Sequence, residues 1–180
     1  GQALNTQTVF EQGAIVPTGN SLDLAINGSG FFTFEGDEGE MFTRDGSLRL
    51  TEGGELVSKF GTPIVWDEHP GTIDPSIGEE LRIDGEGNVY QREERMGQLK
   101  LMNFDRPQLL VLDDNGYYHN KGGVSEEAVT GEVVQEAVEA ANVNPVQEMV
   151  EMIMAQRSYE SASNTVKQLA DSYQRLTTIR

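Results

Sequence analysis

Cysteine is absent from all 180 residues, which excludes disulfide staples and thiolate metal centres. Histidine is almost as scarce, with only His69 and His119, far apart in the chain. Neither has a second His, a Cys or a suitably placed Ser nearby, so no zinc site or Ser–His–Asp triad is indicated. Basic residues are few: Lys+Arg 13 against Asp+Glu 30 gives a net charge of −17. Such a surface repels phosphate backbones and anionic lipid, which argues against nucleic-acid binding and membrane adhesion. No apolar run reaches the ~18 residues of a membrane span, so no membrane insertion is expected, and no secretory signal peptide is read. No cofactor, metal or small-molecule substrate is implied.

Glycine is missing from one part of the chain only. None of the 20 Gly follows Gly131, so a Gly-rich, turn-rich body precedes a tail free of Gly. The expected fold class is mainly β with a long C-terminal α-helix, a Gly-turn-rich all-β domain plus a terminal coiled-coil-type helix. The expected organisation is a connector at 1–17, a β-rich middle domain at 18–131, a connector at 132–143 and an assembly helix at 144–180.

The body shows short strand-like runs about ten residues apart, separated by Gly turns, as in compact all-β domains. Leu22–Ile26 and Phe31–Phe34 flank Asn27-Gly28, which predicts a hairpin because both turn residues tolerate positive φ. Met41–Leu50 reads as strand, Asp-Gly turn, strand. Met96–Phe104 alternates cleanly and reads as one strand, with Leu99, Leu101 and Asn103 on one face. Leu109–Leu112 and Tyr117–His119 are expected to form a hairpin around Asp113–Gly116. Residues 129–141 suit either a closing strand or the first turn of a helix. Leu22, Leu24, Ile26, Phe31, Phe42 and Leu48 are expected in the core.

Three motifs invite a chemical reading and fail it. Gly28-x-Gly30 is followed by no helix and no Lys, so it is a turn rather than a phosphate loop. Asp84-Gly85-Glu86-Gly87-Asn88 departs from the calcium-loop template at Val89 and Arg95 and is expected to be a hairpin turn. The plentiful carboxylates show no paired acid–base spacing. A binding alternative rests on Trp66, Tyr117 and Tyr118 as a stacking platform for a glycan or peptide.

The tail carries the clearest periodicity. Asn144 suits an N-cap, Pro145 the first helical position and Gln147 a capping box. A helix from Pro145 to the end would span ~54 Å at ~1.5 Å per residue, too long for one small domain to cover. Met149, Ile153, Gln156, Tyr159, Ser163, Val166, Ala170, Tyr173 and Thr177 recur in threes and fours, a heptad-like seam. A single helix of this kind is marginal in water and calls for a partner. The candidate interface residues are Val146, Met149, Val150, Ile153, Tyr159, Val166, Leu169, Tyr173 and Leu176.

Three segments resemble the rod and hook proteins of the bacterial flagellar basal body. Thr18-Gly19-Asn20-Ser21-Leu22-Asp23 through Asn27-Gly28-Ser29-Gly30-Phe31-Phe32 is similar to the family's "TGN-x-LD-x-AI-x-G-x-GFF" segment. Phe42-Thr43-Arg44-Asp45-Gly46-Ser47 is similar to its "x-TR-x-G-x" strand and turn. Glu139-Ala140-Ala141-Asn142-Val143-Asn144-Pro145 through Met149, with Gln156-Arg157-Ser158-Tyr159-Glu160, is similar to its "E-x-SNVN-x-V-x-EM" and "QR-x-YE" signature. The resemblance implies a non-enzymatic axial protein with a β-rich middle domain. It implies partners among other flagellar rod and hook proteins and copies of the chain itself, and export to the basal body without a cleaved signal peptide. It also implies an N-terminal partner helix, which residues 1–180 do not contain. The chain is too short for the hook protein's larger inserted domain. The short segment from Trp66 to Ile83 favours the proximal over the distal rod.

Overall fold

The computed structural model describes residues 12–37, 39–68, 73–76, 81–142 and 145–178. They fall into two units, a β body and a helix, which divide after Asn142.

In chain order the strands are β1 (Ile15–Pro17), β2 (Asp23–Asn27), β3 (Phe31–Gly36), β4 (Gly39–Thr43), β5 (Gly46–Leu50), β6 (Leu56–Ser58), β7 (Leu81–Ile83), β8 (Asn88–Gln91), β9 (Glu94–Gln98), β10 (Leu101–Phe104), β11 (Val111–Leu112), β12 (Tyr118–His119), β13 (Glu126–Glu127), β14 (Glu132–Gln135) and β15 (Ala137–Glu139). Among the described residues the one α-helix is α1 (Pro145–Thr178). The mainly-β class with a C-terminal helix is therefore what the chain adopts. The strands build a six-stranded sheet β11-β12-β4-β3-β10-β13, a four-stranded sheet β14-β2-β5-β6, a three-stranded sheet β7-β8-β9 and a ribbon β1-β15.

β3 organises the body. Successive side chains point to opposite faces of a strand, so Phe31 and Thr33 face one way, Phe32 and Phe34 the other. All four are buried. Phe32 and Phe34 enter the main core with Leu24, Ile26, Leu48, Leu56, Ile64 and Leu99. Phe31 enters a second cluster with Phe42, Phe104, Leu110 and Val124. There Phe42 meets Phe104 edge-on at 4.8 Å between ring centres, a favoured geometry for aromatic pairs. In the main core Phe34 meets Tyr117 edge-on, and the Tyr117 hydroxyl donates to Ser58 Oγ at 2.7 Å. Of the expected core residues, Leu24, Ile26, Phe31, Phe42 and Leu48 are buried, and Leu22 packs against the core part-exposed.

The β7–β8 and β11–β12 hairpins form as expected. In the first, the Asp84 carboxylate accepts the backbone N–H of Glu86 and of Asn88, the Asn88 side-chain amide and the Tyr90 hydroxyl. Its oxygens are thus engaged by its own turn, the Asx arrangement of tight turns.

Two sequence expectations are corrected. Asn27-Gly28 does not close a hairpin: β2 pairs with β14 and β5, while β3 pairs with β4 and β10. Both edges of β2 are taken by strands distant in sequence, so the chain turns out of one sheet and into another. Met96–Phe104 is not one strand. It breaks at Leu99–Lys100, between β9 and β10, and the two halves join different sheets. Leu99 at the break is fully buried and Leu101 only partly so. In the ambiguous stretch 129–141 the chain takes the strand alternative as β14 and β15, separated by Glu136 at φ 62°. The turn-rich stretch His69-Pro70-Gly71, expected from sequence to be a loop, and the proposed cap Asn144 lie outside the described residues.

Candidate assembly site

A polar junction between distant parts of the body centres on Arg44, in the turn between β4 and β5. That turn is fixed locally. Thr43 Oγ1 accepts the Asp45 N–H, Asp45 Oδ1 accepts the Ser47 N–H, and Lys59 Nζ reaches Asp45 Oδ2 at 2.7 Å. Arg44 is thereby aimed at the corner between β2 and β3. Its Nη1 donates to Gly28 O at 3.0 Å and Gly30 O at 2.9 Å, and its Nη2 to Ile26 O at 2.9 Å. Its Nε pairs with Glu139 Oε2 at 2.6 Å. A planar guanidinium with donors on every side can satisfy four acceptors at once; an ammonium on a flexible stem cannot.

Glu139 extends the junction. Its second oxygen, Oε1, accepts the Gly13 N–H at 2.7 Å. Gln12 adds a parallel tie: its Nε2 donates to Ile26 O and its Oε1 accepts the Gly28 N–H. The ribbon itself pairs Ile15 with Glu139, Val16 with Val138 and Pro17 with Ala137, and Ala140 N donates to Ala14 O at 2.8 Å. The segment entering the body and the segment leaving it are therefore bound to each other and to the β2–β3 corner. Glycine is required at that corner: Gly28 has φ 113°, and a Cβ there would come within 2.8 Å of Gly131 Cα. A cleft of about 690 Å³ opens beside the junction, lined by Gln12, Ser29, Arg44, Asn103, Glu139 and Asn142 among others.

All three family-like segments converge here. The first supplies Ile26, Gly28 and Gly30, the second Arg44, and the third Glu139. The family model described as the flagellar hook protein FlgE/F/G D1 domain matches residues 25–91, and that described as the flagellar basal body rod FlgEFG protein C-terminal matches residues 134–179. The flagellar basal-body rod protein FlgF of Caulobacter vibrioides is 36% identical over 165 residues, covering 90% of this chain and 66% of that protein. FlgG of Buchnera aphidicola subsp. Schizaphis graminum is 32% identical over 183 residues, covering 96% of this chain and 70% of that protein. FlgF of Mesorhizobium japonicum is 34% identical over 168 residues, covering 89% and 67%.

The chain belongs to the flagellar rod and hook family. It spans about two thirds of the length of these curated relatives.

Against that family membership, α1 is the second candidate surface. Met149, Val150, Ile153, Tyr159, Val166 and Leu169 are all exposed, Tyr159 at 77%. The side chains of Val146, Tyr173 and Leu176 lie outside the described residues. Gln156 Nε2 donates to Glu160 Oε1 one turn on, and Thr165 Oγ1 bonds back to Ser161 O, local ties that leave the apolar seam open.

The stacking platform is not assembled. Tyr117 is buried in the main core, Tyr118 packs against the second cluster, and Trp66 packs part-buried on the main core. Among the described residues no three His, Asp or Glu side chains gather in a metal-binding arrangement, and no helix is long and apolar enough to cross a membrane.

Sequence reasoning missed the roles of Arg44, Glu139 and Gln12. A signal existed for the first two: both stand inside the segments that carry the family likeness, and Arg44 is one of few basic residues in a strongly acidic chain. Gln12 left none, because a polar residue in a lead-in without period carries no positional information.

Proposed function

We propose that the chain is a structural component of the bacterial flagellar basal-body rod. It assembles with other rod and hook proteins and with copies of itself, and as part of a stiff axial structure it transmits torque from motor to hook. No catalysis is involved. The observation that carries this reading is the apolar seam of α1, exposed at Met149, Ile153, Tyr159, Val166 and Leu169, in a chain whose family model at residues 134–179 is that of flagellar rod proteins. An exposed apolar stripe of this kind on a long helix is a surface built to be covered. The strand ribbon and the Arg44 junction hold the ends of the body in a fixed register, as a subunit of a stiff assembly needs.

Within the rod the proximal position is the reading we favour. It rests on the short Trp66–Ile83 segment; relatives bearing the FlgF and the FlgG names lie at similar identity.

The test is Ile153→Asp combined with Tyr159→Asp in the complete gene. Motility should be lost while the purified β body keeps its unfolding midpoint. Normal swimming in that strain would overturn the assembly reading. Electron microscopy of basal bodies from a deletion strain then addresses position. A rod truncated close to its base fits the proximal assignment, and a long stub fits the distal one.

A further inference from the structure

We propose that Asn115 is a site of spontaneous, structure-permitted deamidation in the native protein. The chain contains two Asn-Gly pairs, Asn27-Gly28 and Asn115-Gly116. Asn-Gly is the dipeptide most open to this chemistry, because glycine has no Cβ to hinder approach of its own nitrogen to the preceding side chain. The Gly116 nitrogen attacks the Asn115 side-chain amide carbon, the amide C–N bond breaks, and ammonia leaves with the proton from that nitrogen. One water then opens the resulting succinimide at either carbonyl, yielding aspartate or isoaspartate.

The fold treats the two pairs differently. Asn27 ends β2 and is paired in register with Glu132. The Gly28 N–H is held by Gln12 Oε1 at 3.1 Å, and its carbonyl is held by Arg44. Gly28 also lies against the Gly131 backbone. For the Gly28 nitrogen to swing onto the Asn27 side chain, strand pairing, the Gln12 tie and the Arg44 junction must all open together.

Asn115 stands at the exposed tip of the β11–β12 hairpin. The Gly116 N–H donates to Asp113 O at 3.2 Å, a long bond. A Cβ built on Gly116 would meet nothing within 4 Å. The Asn115 N–H donates to Asp113 Oδ1 at 2.8 Å, so the bonds that hold Asn115 and Gly116 are internal to the turn and the reactive geometry lies one local opening away.

The product matters to this surface. Each conversion adds a carboxylate beside Asp113 and Asp114. The isoaspartate form also lengthens the backbone of the turn by one methylene, between two strands at the edge of the six-stranded sheet.

The test incubates the full chain at neutral pH and 37 °C with and without denaturant and follows both peptides by liquid chromatography and mass spectrometry. In the folded protein Asn115 should convert roughly tenfold or more faster than Asn27, a gap set by opening a turn tip against opening a paired strand. In denaturant the two rates should converge. An Asn115→Gln variant should fold normally and lose the fast phase. Equal rates in the folded state, a faster Asn27, or an Asn115 that stays intact when folded while converting in denaturant would each overturn the proposal.

Discussion

Arg44 Nε lies 2.6 Å from Glu139 Oε2, joining a turn near the start of the body to the strand that leaves it, with side chains only 22% and 10% exposed. A pair this enclosed differs from a surface ion pair. Its two charges are also bound by Ile26, Gly28 and Gly30 carbonyls and by the Gly13 N–H. Removing one partner strands the other in a poorly hydrated place. Arg44→Met is expected to lower stability by about 3 kcal/mol, and Arg44→Lys by less but measurably, because one ammonium cannot reach four acceptors. Denaturant midpoints of both variants, with Glu139→Gln completing a double-mutant cycle, check this. A coupling near zero would show that the pair acts only through its separate hydrogen bonds.

Gly46 supplies the second prediction. A Cβ at that position would lie 2.3 Å from Leu24 O and 2.7 Å from Phe32 Cε2, a backbone atom and a ring locked in the core. Neither neighbour yields easily. Gly46→Ala should therefore destabilise by about 1–3 kcal/mol, the usual range for overpacking. Gly61→Ala is a useful contrast: its site is spatially open but has φ 87°, so only backbone strain of about 1 kcal/mol is expected. Thermal unfolding of the two variants side by side separates crowding from strain.

Acid should weaken the body through its turns. Burial pushes the Asp84 carboxyl upward, but hydrogen bonds from Asn88, Glu86 and Tyr90 outweigh it and hold the group below its ordinary value of 3.8. Asp113 is likewise pushed up by burial and brought below 3.8 by bonds from the Tyr117 N–H, the His119 ring and the Asn115 N–H. A group depressed in the folded state favours folding above its unfolded pKa, and that contribution disappears as pH falls through the folded value. The unfolding midpoint should thus be nearly flat on the neutral side and drop below pH 3.8, with the loss continuing to lower pH. Asp84→Asn keeps an acceptor without the charge. It should start lower and show a shallower acid slope, which a series of melts across pH would reveal.

Much of the architecture could be read from residue order. The Pro145 helix start and the β7–β8 and β11–β12 hairpins follow from local chemistry, and the structure places them where that chemistry does. The errors share one cause. Asn27-Gly28 has the residues of a hairpin turn, and Met96–Phe104 has the alternation of one strand. Each was decided by partners far away in sequence: β14 and β5 on the two edges of β2, and β3 and β13 drawing β10 away from the sheet that β9 shares with β8. Local pattern cannot see an edge that is already occupied. The Arg44 junction was hidden for the same reason, since its acceptors come from two stretches of chain far apart, 26–30 and Glu139. The helix α1 itself, by contrast, needed only a start signal and a tail free of Gly.

Ile15 and Glu139 are register partners in the ribbon, so everything between them begins and ends at adjacent points. Geometrically the body is a bulge on a hairpin. The rest of residues 18–136 could vary in length and surface while the two flanking strands kept their spacing and direction, so long as Arg44 still meets Glu139. A chain built this way can change the size and surface chemistry of its body without re-engineering what that body is attached to.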